Sequence, residues 1–405
     1  MDSHLLAVTG DQVRDLKSAS PVRAGAVPPL ADCFSARPET GAGLADGLVP
    51  GQVMVLTEPE ARARQPYDWP GGTGKTQLAV HLTESLWQAH QVDLLLWVTA
   101  TSRASVLASY VQAFAATTGT DPAGDAETVA ARFTGWLAQT SQRWLIVLDD
   151  LTASADLTGL WPKGPAGRVL VTTRSLATLT GAGKPHVFPI GPFSSHEALT
   201  YLMARLSVDP DQRAGAVDLL DDLGRVPIVL AQASAMIASS GLSCRDYREL
   251  FVRSRERIAD TAGGQPAAKA VTWTLSVEHA DQLSPGRVAQ SCLALTALLD
   301  CYGIPGEVFS TAAACEYIMG AGRGGVPDPK GTRSALISLE RAGLLIIDDT
   351  SDARMVRVHP VVQAAVRSAM PDSMREQAAP AAARSGRATP TPCCSKRATA
   401  WTAPG

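Results

Sequence analysis

A short glycine-rich segment, Gly71-Gly-Thr-Gly-Lys-Thr76, constrains this chain more than any other feature of its sequence. It follows an apolar run at residues 52–57, which is typical of a buried strand, and it opens a helical pattern over residues 75–87. Glycines let successive backbone N–H groups turn toward one anion, and the N-terminus of the following helix adds its dipole. The order of strand, loop and helix therefore predicts a phosphate-binding loop within an α/β fold.

This loop is expected to bind ATP or ADP together with Mg²⁺. The ammonium of Lys75, which is also a candidate catalytic group, is expected to reach the β- and γ-phosphates, and the hydroxyl of Thr76 is expected to ligate the metal. The alternative interpretation is a glycine-rich turn that happens to precede a Lys-Thr pair. The predicted nucleotide-binding residues of the segment are Gly71, Gly72, Thr73, Gly74, Lys75, Thr76 and Gln77.

The loop departs from the usual pattern G-x-x-x-x-G-K-[ST] at its first position, which is Trp69 instead of glycine. In addition, about twelve residues, 58–69, separate the strand from the loop, where a tight turn is usual. This polar segment has three possible consequences: it bulges outward and leaves the phosphate cradle intact, it weakens phosphate binding, or it covers the pocket.

Two acids follow a second apolar run, at residues 144–148, and supply the carboxylate that such a loop needs for magnesium. Asp149 is assigned to the metal, directly or through water, and Asp150 is assigned to polarising an attacking water. The next strand ends at Arg174, whose guanidinium could pair with the γ-phosphate and sense its presence. The competing interpretations are an acidic turn after an ordinary strand and a solvated arginine at a strand end.

The wider pattern of the chain divides it into regions. Strands alternate with helices through residue 190, which predicts a parallel sheet with helices on both faces. Helical patterns then dominate, and a later segment places helices before two short strands, at 344–347 and 355–359, which suggests a winged-helix-like domain. The predicted domains are a weakly structured extension at 1–46, a phosphate-loop domain at 47–194, a helical subdomain at 195–264, the winged-helix-like domain at 265–370 and a disordered tail at 371–405.

Five segments, in this order along the chain, resemble motifs of the NB-ARC subclass of STAND signalling ATPases. They lie at residues 71–79, 144–151, 167–174, 223–230 and 355–360. The resemblance extends over roughly residues 47–370 and is greatest to actinobacterial proteins that combine NB-ARC and tetratricopeptide parts. A repeat array does not fit into the tail, and the abrupt change of composition near its end raises the hypothesis of a truncated or frame-shifted reading.

The resemblance implies roles for individual residues. Arg174 matches the family's sensor, Pro227 is expected to pack near the adenine, and His359 is expected to contact the β-phosphate of ADP and to hold a closed resting form. Taken without the family, Pro227 is a helix-starting proline and His359 a structural or exposed histidine. Arg225 stands where the family has glycine, which, like Trp69, leaves affinity and turnover open.

Composition excludes several classes of protein. Hydrophobic residues make up 45% and charged residues 19%, and the net charge of −3 gives no bulk attraction to nucleic acid or anionic lipid. No signal peptide and no apolar run near the ~20 residues of a membrane helix are visible. Seven cysteines without metal-binding spacing are expected to be free thiols in the cytoplasm.

The resemblance implies a signalling switch that ADP locks, that ATP releases for self-assembly or for protein partners, and that hydrolyses ATP slowly. Three alternatives differ from it. A nucleotide-binding scaffold without turnover is favoured by Trp69 and the inserted segment. A DNA-binding regulator would use the predicted helix at 331–342, which carries too little positive charge to make nucleic acid an expected partner. A metabolic kinase would need an acceptor-substrate motif, and none is seen.

Overall fold

The computed structural model describes residues 21–388, apart from residues 60–70, 120–122, 175, 177–178, 180, 182, 263–265, 301–302, 321–327 and 349–354. Trp69 and most of the segment at 58–69 therefore lie outside the described residues, as do the last residues of the predicted tail.

A six-stranded parallel sheet forms the first region of the chain. Its strands are Val22–Ala24 (β1), Val53–Thr57 (β2), Leu94–Thr99 (β3), Trp144–Leu151 (β4), Gly167–Thr173 (β5) and His186–Pro189 (β6). They lie side by side in the order β1-β3-β4-β5-β2-β6. The strand that leads to the phosphate loop, β2, is thus separated from the acid-bearing strand β4 by β5 alone, so the predicted site residues emerge from three adjacent strands.

Helices cover both faces of this sheet, as predicted. They are Pro38–Gly47 (α1), Lys75–Gln88 (α2), Arg103–Thr118 (α3) and Ala126–Gln139 (α4). Successive residues of a strand point to opposite faces, so Leu94 packs with Phe133 of α4 while its neighbour Leu95 packs with Leu78 of α2. Because both faces are buried, the central strands are continuous apolar runs.

Helices form the second region: Ser195–Arg205 (α5), Ala216–Asp222 (α6), Pro227–Ser240 (α7) and Cys244–Ala262 (α8). The first of them starts with a capping box, in which Ser194 and Glu197 each accept a hydrogen bond from the other's backbone N–H. Their shared core includes Leu202, Leu230 and Phe251.

The third region combines helices with a small antiparallel sheet. Its helices are Ala268–Leu283 (α9), Ala289–Thr296 (α10), Ala312–Met319 (α11), Pro329–Arg341 (α12), Pro360–Ala369 (α13) and Asp372–Ala388 (α14). Its strands are Ile304–Pro305 (β7), Ile346–Asp348 (β8) and Met355–Arg357 (β9), paired in the order β7-β9-β8. The predicted helices and the two predicted strands are present, and β7 was not predicted. The assignment of this region to the winged-helix class stays a prediction.

Two of the predicted boundaries are wrong. Residues 21–46 are not a weakly structured extension, because β1 pairs with β3 at the edge of the sheet and α1 packs against α2. The predicted disordered tail likewise contains α14, whose Ala381 and Ala382 are buried in the core of the third region. In both places tertiary packing stabilises segments whose local sequence favours no element strongly.

Among the described helices, none by itself is long and apolar enough to cross a membrane; α7 and α8 meet those limits only as a pair, which is bent by 118°. The cysteines that the structure describes, Cys33, Cys244, Cys292 and Cys315, are free thiols, as predicted.

Candidate functional site

The glycine loop between β2 and α2 has the backbone of an anion-binding turn. Gly71, Gly72 and Gly74 have φ angles of 110°, 84° and 94°, a region that residues with a β-carbon rarely adopt. Gly74 is the N-cap of α2, so Lys75 and Thr76 form the first turn of that helix. Backbone N–H groups at such a turn are available to phosphate oxygens.

Thr76 and Asp149 meet at the end of the sheet, as the sequence predicts. The Thr76 hydroxyl donates to Asp149 Oδ1 at 2.8 Å, and the Thr172 hydroxyl of β5 donates to the same oxygen at 2.6 Å. Asp149 is only 1% exposed, and this burial raises the pKa of its carboxyl to about 6 although both hydroxyls oppose the shift.

The donor set at this point fits magnesium. A buried carboxylate and a threonine hydroxyl are hard oxygen ligands, and Mg²⁺ usually takes one or two such ligands together with phosphate oxygens and water. Within the described part of the chain, no cluster of three or more His, Cys, Asp or Glu side chains is grouped to hold a metal. The metal would therefore be held by Thr76 and Asp149 together with the nucleotide.

Asp150 and Arg174 form a bidentate ion pair. Arg174 donates through Nε to Asp150 Oδ1 at 3.1 Å and through Nη2 to Oδ2 at 2.9 Å. The backbone of Asp150 has a φ of 52°, and its N–H donates to the Thr172 hydroxyl at 2.8 Å. The two residues assigned to water activation and to phosphate sensing thus contact each other.

Lys75 has a carboxylate partner that the sequence analysis missed. Its Nζ lies 2.7 Å from Glu58 Oε1, and both side chains are largely buried. Burial lowers the pKa of Lys75, and the Glu58 carboxylate opposes that shift. The sequence feature that could have indicated this contact is the acid directly after β2, at the first position of the inserted segment.

Pro227 lies at the first turn of α7, beside the phosphate loop. The next residue, Ile228, donates its backbone N–H to the Gly72 carbonyl at 3.2 Å. A β-carbon on residue 72 would overlap the Ile228 side chain, so the close approach requires glycine at that position. The structure thus brings the Pro227 segment against the loop, and the packing of Pro227 near an adenine stays a prediction.

His359 caps α13 on the other side of the loop. Its Nδ1 accepts the backbone N–H of Val361 at 3.1 Å, and a β-carbon on Gly71 would lie 2.7 Å from Val361 Cγ2. His359 is exposed by surface area, although groups from several parts of the protein lie around it. Burial and the nearby Arg174 lower the pKa of His359 to about 4, so the imidazole is neutral at pH 7.

An arginine from the N-terminal segment holds the loop from outside. Arg37, which is 4% exposed, donates to the carbonyls of Thr73 and Gly191 at 2.8 and 2.9 Å, and its guanidinium lies 4.5 Å from the centre of the Phe193 ring. The sequence analysis missed Arg37 because it assigned residues 1–46 to a weakly structured extension.

The side chain of Gln77 is hydrogen-bonded to the N-terminal segment, and its predicted nucleotide contact stays a prediction. Its Nε2 donates to the Pro29 carbonyl at 3.1 Å, and its Oε1 accepts the backbone N–H of Ala31 at 2.6 Å. Both ends of this amide therefore fix the N-terminal segment onto α2.

Comparison with known proteins identifies part of this region. Residues 69–202 match the family model of the NB-ARC domain. They include the phosphate loop and the strands β3, β4, β5 and β6. No curated protein sequence gives a significant match.

Three solved structures from archaea illustrate the wider similarity. A STAND protein with a tetratricopeptide repeat sensor from Pyrococcus horikoshii is 14% identical, with a TM-score of 0.49 over 87% of this chain and 45% of that one. The ORC2 protein of Aeropyrum pernix is 14% identical, with a TM-score of 0.32 over 85% of this chain and 96% of that one. Cdc6p of Pyrobaculum aerophilum is 13% identical, with a TM-score of 0.35 over 87% and 96%. This chain therefore spans less than half the length of the Pyrococcus protein.

Proposed function

This chain contains an NB-ARC domain, and from that premise we propose that it is a nucleotide-dependent signalling switch of the STAND class. In this proposal the resting form holds ADP, exchange for ATP changes how the regions pack, and slow hydrolysis resets the protein. The observation that carries the proposal is the contact of one phosphate loop with helices from both of the regions that follow it.

Through those contacts, a nucleotide bound at the loop could change how the two following regions pack against the first. Ile228 at the start of α7 packs on Gly72, and Val361 at the start of α13 packs on Gly71. Neither glycine can move far without displacing its neighbour, because packed interiors leave little free space. A nucleotide that stabilises one conformation of the loop would therefore favour one packing of the helices, which is the free-energy difference that a switch requires.

The residues of the loop define the ligand class. Lys75 would neutralise phosphate charge, the turn at Gly71–Gly74 would donate backbone N–H groups, and Thr76 with Asp149 would hold Mg²⁺. Bound Mg²⁺ would supply positive charge to the phosphate oxygens. Neutral His359 has one ring nitrogen engaged by Val361, so the other is available to a ligand in the cleft.

The first experiment measures the nucleotide that the purified protein carries. Denaturation followed by chromatography should release about one equivalent of ADP from the wild type and none from Lys75→Ala, with Lys184→Ala as an exposed control. Equal nucleotide in wild type and Lys75→Ala, or no binding of added ADP or ATP by the wild type, would contradict the proposal. Light scattering with ADP and with a non-hydrolysable ATP analogue then tests whether the triphosphate promotes self-assembly.

A scaffold that binds nucleotide without turnover is the second candidate, and the Asp150–Arg174 pair favours it. Both oxygens of this carboxylate already accept hydrogen bonds from Arg174, so Asp150 is less available to orient an attacking water. The two candidates differ in ATP hydrolysis: slow turnover that disappears in Asp150→Asn supports the switch, whereas identical background rates in both proteins support the scaffold.

A further inference from the structure

The ion pair between Glu58 and Lys75 lies at the centre of the proposed phosphate site. Glu58 is the first residue after β2, and Lys75 is the first residue of α2. Their charged atoms are 2.7 Å apart, and their side chains are 19% and 9% exposed respectively. Solvent therefore screens this pair much less than a surface salt bridge.

A carboxylate and a phosphate are alternative partners for the same ammonium. Both are anions that accept N–H hydrogen bonds, and the buried Lys75 has only three N–H groups to share between them. The Asp150 carboxylate also lies close enough to interact with Lys75. Asp150 is, however, paired with Arg174, whose guanidinium also interacts with Lys75. The carboxylate that opposes a phosphate approaching Lys75 is therefore that of Glu58, and at small separations in a poorly screened site such repulsion is appreciable.

We propose that Glu58 sets the nucleotide affinity of this chain by competing with the phosphates for Lys75. In a phosphate loop without this acid the lysine is free to bind phosphate. Here nucleotide binding must break or distort the Glu58–Lys75 pair, which makes the affinity lower than the loop alone would provide. This inference rests on the proposed nucleotide site. Glu58 is the first residue of the inserted segment, so the insertion would lower the affinity of that site for nucleotide.

A purely structural role for Glu58 makes the opposite prediction. If the acid only stabilises a buried lysine, its neutralisation leaves Lys75 less well positioned and weakens binding. Affinity and stability must therefore be measured on the same variants. Glu58→Gln removes the charge with almost no change in shape. Glu84→Gln is its matched control, because Glu84 lies on the same helix as Lys75 and pairs with Arg23 in an exposed ion pair outside the loop.

The test is calorimetric titration of Mg·ADP into wild type, Glu58→Gln, Glu84→Gln and Lys75→Ala, with the melting temperature of each. We expect Glu58→Gln to bind Mg·ADP about tenfold more tightly than wild type, because the repulsion between one carboxylate and one phosphate in this partly buried site is removed. Its melting temperature should be unchanged or lower. Glu84→Gln should bind like wild type.

The outcomes separate the two proposals. Equal or weaker binding by Glu58→Gln, with wild type binding and Lys75→Ala not, overturns the role of Glu58 and leaves the nucleotide site standing. Absence of binding in all four proteins overturns the nucleotide site and the role of Glu58 with it. Binding by Glu58→Gln where wild type shows none supports the role of Glu58 and the phosphate site, but it contradicts the proposed ADP-bound resting form of the wild type.

Discussion

Gly72 of the phosphate loop and Ile228 of α7 are in such close contact that residue 72 has no room for a side chain. A β-carbon there would overlap Cγ2 of Ile228, and the backbone φ of 84° at Gly72 is itself unfavourable for other residues. The Ile228 N–H also donates to the Gly72 carbonyl. The loop and the helical region are therefore joined by one apolar contact and one hydrogen bond at a single residue pair.

Because of this contact, we expect that substitutions at the two positions have non-additive effects on the free energy of unfolding. Gly72→Ala should lower the unfolding free energy by about 2–4 kcal/mol through backbone strain and overlap, and Ile228→Ala should lower it by about 1–2 kcal/mol. In the double variant the smaller side chain relieves most of the overlap, so the total loss should be smaller than the sum by about 1 kcal/mol. Urea unfolding of the four proteins measures this coupling.

Gly74 provides the matched control for that cycle. Its φ is also positive, but a β-carbon there would come no closer than 3.8 Å to a neighbour, the Arg37 guanidinium. Gly74→Ala should therefore introduce strain without overlap, and its effect should add to that of Ile228→Ala. Coupling of equal size at Gly72 and Gly74 would mean that Ile228 does not pack on the loop in the way described.

Arg37 predicts a stability effect at the outer side of the loop. Arg37→Met keeps an unbranched side chain but removes the guanidinium that lies over Phe193 and both of its hydrogen bonds, which leaves the Thr73 and Gly191 carbonyls without this donor. We expect a loss of about 2–3 kcal/mol in unfolding free energy. Arg23→Met, which breaks only the exposed pair with Glu84, should cost less than about 0.5 kcal/mol. Equal losses would show that the Arg37 hydrogen bonds add nothing.

Much of the first region could be predicted because its strands are long and apolar. The run at residues 144–148 lies within β4, and parallel strands place their carboxyl ends at one edge, so Thr76 and Asp149 were expected to approach each other and do so at 2.8 Å. The faces of α4 were also predictable, since Val129, Phe133 and Leu137 recur at helical spacing and are all buried.

The missed features depend on contacts between residues far apart in sequence. Strand β1 is only three residues long, and α1 contains several glycines, so neither has a strong local signal. Helix α14 has the composition of a disordered segment and becomes stable through packing of residues such as Ala381. The Glu58–Lys75 pair joins residues on either side of an inserted segment, and no periodicity in the sequence predicts such a contact.

Replacing Asp149 by asparagine is expected to weaken metal binding without disturbing the fold. Asp149→Asn retains an oxygen that can accept from the Thr76 and Thr172 hydroxyls, so the end of the sheet should keep its structure while the site loses its anionic magnesium ligand. Wild-type protein should bind ADP about tenfold or more tightly with Mg²⁺ than with EDTA. In Asp149→Asn the two affinities should be nearly equal, as calorimetry can measure.

The control for this variant is Asp93→Asn, because Asp93 pairs with Arg143 at the opposite end of the sheet. It changes the net charge by the same amount and should keep the full magnesium effect. A magnesium effect of wild-type size in Asp149→Asn would remove Asp149 from the metal site.

The last prediction concerns acid stability and a histidine outside the loop. His279 on α9 lies 2.8 Å from the Ser239 hydroxyl of α7, and its burial lowers the pKa of the imidazole below the usual 6.5. Since the unfolded chain then binds a proton that the folded chain excludes, the contribution of His279 to stability is complete above pH 6.5. It is lost as the pH falls from 6.5 toward the lower pKa of the folded state.

His279→Gln should therefore make the unfolding free energy less dependent on pH below 6.5, by at most about 1.4 kcal/mol per pH unit for one proton. The measurement is urea unfolding at pH 7.5 and pH 5.5. His196→Gln, on the exposed face of α5, serves as the control for replacing a histidine at the surface. His359 adds acid sensitivity of the same sign, because its pKa is also lowered, so the difference between wild type and His279→Gln is the quantity that isolates His279. An identical pH dependence in those two proteins would mean that His279 carries the same charge in the folded and unfolded states.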